Sequence, residues 1–70
     1  MNAISVKVAN FPGEVKEISV SAGSTIRQCF EIAGITPVGT NITRNAIAAT
    51  MEDVVSDNDR IISAAGAKGN

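Results

Sequence analysis

Along this chain the apolar residues alternate, then switch to a helical period, then alternate again. From Ile4, the residues Ile4, Val6 and Val8 fall on one side and Ser5, Lys7 and Ala9 on the other. A period of two with β-branched residues predicts a half-buried strand. Phe11-Pro12-Gly13-Glu14 follows. Proline fixes one backbone angle and glycine tolerates the next, so this string predicts a turn. Ile18 and Val20 then alternate with Glu17 and Ser19 in a second strand. The short separation makes an antiparallel hairpin the economical arrangement.

Ser21 to Gly23 ends that strand, and the period changes. Ile26, Cys29, Phe30 and Ala33 stand at i, i+3, i+4 and i+7, an apolar stripe on a helix. Thr25 followed by Gln28 fits a capping box, in which each residue satisfies an unpaired N–H of the first turn. Gly34 tolerates the left-handed terminal conformation, and Pro37 prevents the helix from resuming. The second half is less periodic. Asn41 to Asn45 predicts a third strand with Ile42 as its apolar member, and Ala46 to Thr50 a short return strand. Thr50 to Val55 reads as a capped single turn that drops Met51 and either Val54 or Val55 onto the core. Asp57-Asn58-Asp59 reads as a turn, and Arg60 to Ala64 as the last strand. The expected class is α+β: a mixed sheet of four to five strands packed on one main helix.

Seventy residues, 44% of them hydrophobic, suffice for one small core. Residues 1–64 are expected to form a single domain and 65–70 a flexible tail. Such a core rarely yields more than roughly 3–5 kcal/mol without staples. The six basic residues are spread evenly against seven acids, and only Phe11 and Phe30 are aromatic. A nucleic-acid binder usually shows a basic excess and stacking aromatics, so no such partner is expected. Cys29 is the single cysteine, so no intrachain disulfide can form. No secretory signal precedes residue 4, and no apolar run approaches the roughly 20 residues of a membrane span. A cytoplasmic protein without membrane association is the expectation.

Gly23-Ser24-Thr25-Ile26, Asn45 and Asp57-Asn58-Asp59-Arg60-Ile61 carry a resemblance in their order and spacing. The first resembles the Gly-Ser-Thr-Val helix start of the ubiquitin-like β-grasp sulfur carriers of thiamine and molybdopterin synthesis. Asn45 is similar to the Asn that ends their third strand, and the last string resembles their Asp-Gly-Asp-Arg-Ile. The resemblance spans roughly Ile4 to Ala64, and it implies a β-grasp fold. In that family a partner adenylating enzyme activates a C-terminal Gly-Gly, which is thin enough to thread a narrow channel. Here the tail reads Ala64-Ala65-Gly66-Ala67-Lys68-Gly69-Asn70, so Gly66 and Gly69 are separated and Asn70 follows them.

Three functions are therefore in view. The first is a noncatalytic β-grasp protein acting by protein–protein contact, as an adaptor, inhibitor or small assembly component. The alternative is a sulfur carrier or ubiquitin-like modifier activated at a processed Gly66 or Gly69. A third is a virus-encoded structural subunit. Intrinsic catalysis is not expected: there is no histidine, and the helix stripe turns Cys29 inward, where it acts as a small hydrophobe. Glu52, Asp53, Asp57 and Asp59 lack the spacing of a calcium loop and read as capping and turn residues. No metal or cofactor is expected. For contact, alternation puts Ile62 and Ala64 opposite Ile61. The resemblance, which sets the first strand alongside the last, implies that Ser5, Lys7 and Ala9 share that face. The expected docking surface is Ile62, Ala64, Lys7 and Arg44, with Phe11 at its rim if it does not fold back as minor core.

Overall fold

A computed structural model describes residues 2–39 and 41–64, so the expected tail with Gly66 and Gly69 lies outside the described residues. The first alternating stretch forms β1 (Ala3–Phe11), which pairs antiparallel with β2 (Val15–Ser21). Helix α1 (Ile26–Ala33) follows, then β3 (Asn41–Arg44), β4 (Ile47–Ala49) and β5 (Asp59–Ala64). The five strands form one sheet in the order β2-β1-β5-β3-β4. β1 and β5 run parallel at its centre, and the other ladders are antiparallel. The class is α+β, with a mixed sheet and a single helix among the described residues.

The helix forms where its stripe and caps coincide. Thr25 and Gln28 make the reciprocal capping box. The remaining first-turn donors are taken by the irregular segment before β5. Ile26 N–H donates to Asp53 O at 2.9 Å and Arg27 N–H to Met51 O at 3.0 Å. At the other end Gly34 is left-handed with φ 72°. Ile35 N–H returns to Phe30 O at 3.0 Å, and Lys16 Nζ reaches Ala33 O at 3.1 Å. A cation there also opposes the partial negative charge of the helix end.

One face of the sheet receives α1. Val6 and Val8 of β1, Val20 of β2, Ile42 of β3 and Ile61 of β5 pack with Ile26, Cys29, Phe30, Ala33 and Val55. Val55, rather than Val54, enters the core because its N–H is held by Ser24 O at 2.9 Å. Ile26, Cys29 and Ile61 are fully buried.

Several boundaries depart from the alternation. β3 stops at Arg44 and β4 begins at Ile47, because Asn45 (φ 54°) and Ala46 (φ 70°) form a two-residue left-handed turn. β2 starts at Val15, immediately after the Pro-Gly turn. β5 starts at Asp59, which is buried beside the Asn45-Ala46 turn. Asp59 accepts from Asn45 Nδ2 at 2.9 Å and from Ser56 N–H at 2.7 Å.

Candidate docking face of the sheet

The face that α1 does not cover is built by the ladder registers. Ala9 pairs with Val15 on one side and Ile62 on the other. Ile62 pairs with Thr43, and Thr43 with Ala48. Lateral partners point to the same side of a sheet. Val15, Ala9, Ile62, Thr43 and Ala48 therefore form one row across all five strands, apolar but for the threonine. The next row continues it with Phe11 beside Ala64. Phe11 is 65% exposed and Val15 54%. Ile62 and Ala64 are half-buried, while the small Ala9 is screened by its larger neighbours.

Four of the five expected surface residues share this face: Phe11, Lys7, Ile62 and Ala64. Phe11 does not fold back onto the core. Arg44 does not belong with them. It pairs with Ile61, which places it on the helix side. There its Nη1 donates to Val54 O at 2.6 Å and lies 3.7 Å from Asp59 Oδ2. Alternation from Ile42 dictates this, since residues two apart on a strand share a face. The same count identifies members the sequence reading passed over. Val15 lies three residues before Ile18 and so on the opposite side, and Arg60 flanks Ile61.

The chemistry elsewhere is structural. Burial raises the Cys29 thiol above its ordinary pKa, helped by the nearby Asp59 charge. That keeps it protonated and a poor nucleophile. Each of the four acids is engaged by the fold. Asp53 accepts from Thr50 N–H and hydroxyl, both at 3.2 Å, and Asp57 accepts from Ser5 N–H at 2.8 Å. Glu52 pairs with Arg27, and its hydrogen bond and charge hold that guanidinium above its ordinary pKa. Among the described residues, no three His, Cys, Asp or Glu side chains gather to hold a metal ion. No described helix is long and apolar enough to cross a membrane.

No protein-family model matches the chain, and no curated protein matches it significantly.

Proposed function

We propose that this protein is a noncatalytic β-grasp domain that acts by contact, docking a partner protein on the uncovered face of its sheet. The strand-strand-helix-strand-strand-strand order, with β1 and β5 parallel at the centre, supports the β-grasp reading. One observation carries the contact reading. The sheet sets a row of apolar side chains across its full width on the face opposite α1. The helix-side face uses its apolar residues to bury α1; among the described residues no element lies over the other face. Aromatic and aliphatic side chains left in this way are the usual anchors of an interface. Ile62 is already half-buried, so covering what remains of it against a partner contributes about 1 kcal/mol or less.

The experiment replaces Ile62 by Asp and measures folding and partner capture separately. Native circular dichroism with loss of a specific, cross-linkable partner from the native cells is the expected result. A variant that unfolds, while Phe11→Ala and Val15→Thr capture the partner unchanged, makes Ile62 core and ends the reading. Intact mass of the protein from its native cells tests the contact-only claim. An unmodified chain is expected, and a thiocarboxylate or a ladder of conjugates refutes it.

A further inference from the structure

The uncovered face is banded along its strands, and the order of the bands specifies what sits on it. Around Ser5 two carboxylates are drawn in. Asp57 Oδ1 accepts from Ser5 N–H at 2.8 Å and Glu17 Oε2 accepts from the Ser5 hydroxyl at 2.7 Å. Two residues further along β1, Lys7 lies beside Arg60 across the parallel ladder. Two residues further again comes the apolar row through Ala9 and Ile62. The sequence is acid, cation, apolar.

In the middle band the Lys7–Arg60 pair works against stability, offset in part by Glu17 across from Lys7 on β2. Like charges directly opposite one another on adjacent strands repel. Glu17 flanks Lys7 in the register but is bonded to Ser5. Among the described residues neither Lys7 nor Arg60 has a carboxylate within 4.0 Å. A like-charge pair without an ion pair of its own is the kind of local cost that functional sites carry. The two cations also line a concavity of about 380 Å³ with Asn45, Ala46 and Asn58. Its walls are the turns before β4 and β5, where Asn45 and Asn58 adopt left-handed φ values of 54° and 69°.

We infer that Lys7 and Arg60 receive a carboxylate from the protein that docks on the apolar row. The partner thus presents an acidic side chain about 7 Å from a bulky apolar one, the distance two residues span along a strand. This rests on the docking reading above. A guanidinium beside an ammonium suits a planar two-oxygen acceptor. A second copy of the chain fits poorly, because the band order is not symmetric. A two-fold axis along the strands stacks cations on cations. An axis along the apolar row sets Lys7 and Arg60 against Phe11 and Ala64. A distinct acidic–apolar partner satisfies both bands at once.

The test uses a random 12-residue peptide library displayed on phage. It is selected in parallel on the wild-type chain, on the double variant Lys7→Glu/Arg60→Glu and on Ile62→Asp. Circular dichroism checks each fold, and Ile62→Thr replaces Ile62→Asp if the latter unfolds. Wild-type selection is expected to enrich Asp or Glu close to a bulky apolar residue. Those peptides lose roughly 10-fold or more in affinity on the charge-reversed chain, whose own selection enriches Lys and Arg instead. Peptides that need Ile62 but show no acidic bias and ignore charge reversal overturn this inference while leaving the docking face standing. Peptides indifferent to both, or no enrichment at all, overturn both readings. Sedimentation provides a further arm: a wild-type dimer that survives charge reversal makes a second copy the occupant and overturns the inference.

Discussion

The two faces of one sheet use the same strands and obey different rules. On the helix side, Val6, Val8, Val20, Ile42 and Ile61 are all buried, at 6% exposure or less. Their identities follow from packing, since they form one buried cluster with the α1 stripe and Val55. On the other side the same strands present Lys7, Val15, Thr43, Arg60 and Ile62, and no element of the described chain lies over them. Burial on the first face accounts for the fold. On the second face, the apolar side chains and the adjacent cations pack under no element of the described chain. That difference between the faces is the basis of the proposed docking role.

The comparison is broken first at its strongest point. Phe30 is 2% exposed at the centre of the contact between α1 and the sheet. Truncating a buried Phe to Ala removes about 3–5 kcal/mol. A domain of this size rarely has more than roughly 3–5 kcal/mol to lose. Phe30→Ala is therefore expected to be unfolded at 25 °C, read as loss of far-ultraviolet dichroism and amide dispersion. A folded Phe30→Ala protein means that the helix-side core is not what holds the sheet together.

A second effect tests the corner where the two faces meet. Asn45 donates to the buried Asp59 and accepts from Arg60 N–H at 3.0 Å, while holding φ at 54°. Asn45→Ala leaves Asp59 short of a donor and puts a strained residue in the turn. A cost of about 1–3 kcal/mol is expected in urea denaturation. Asn45→Gly loses the same bonds but adopts the left-handed angle freely, so it should cost less. Equal costs would assign the whole effect to the hydrogen bonds.

Much of the helix-side architecture is readable in the sequence, because a single period governs each element. The stripe from Ile26 to Ala33, its Thr25 cap and its Gly34 stop leave little freedom, and the first hairpin is as plain. The β3–β4 turn is readable at Asn45, through its resemblance to a strand-ending Asn, but not at Ala46, which adopts φ 70° with no residue-type signal for it. Asp59 reads as a turn residue, since nothing local reveals that Asn45, far away in sequence, will bury and bond it. Arg44 attracts attention as a charge for the docking face, although its parity with Ile42 already placed it on the helix side. Val54 and Val55 are equivalent apolar neighbours until the long-range bond to Ser24 selects Val55. On the uncovered face the individual members are visible by alternation. The rows are not, because they depend on which strands lie side by side and in what register.

A weaker effect separates the faces by pH. Burial holds the Cys29 thiol above its ordinary pKa in the folded chain. The unfolded chain therefore loses that proton first as pH rises, and then binds fewer protons than the folded one. Stability is flat below the ordinary thiol value of about 8.5 and falls above it, by at most about 1.4 kcal/mol per pH unit. Cys29→Ala lowers stability at neutral pH but removes this slope. Denaturation midpoints at pH 7, 9 and 10 (each about one to two units apart, within reach of the thiol) check it. An unchanged slope in the variant would assign the titration to another group.

The smallest expected effect is also the sharpest comparison, because it makes one substitution twice on one strand. Val15 and Val20 both belong to β2, yet Val15 is 54% exposed and Val20 4%. Threonine keeps the branched shape and the strand preference of valine and exchanges a methyl for a hydroxyl. At Val20 that hydroxyl enters the apolar contact with α1, where an unpartnered polar group costs about 1–3 kcal/mol. At Val15 it faces water, and a change within about 0.5 kcal/mol is expected. Urea midpoints of Val15→Thr, Val20→Thr and the double variant measure both terms, which should add if the faces are independent. If Val15→Thr costs as much as Val20→Thr, the row through Ala9 and Ile62 holds the fold rather than a partner. The distinction between the two faces then disappears.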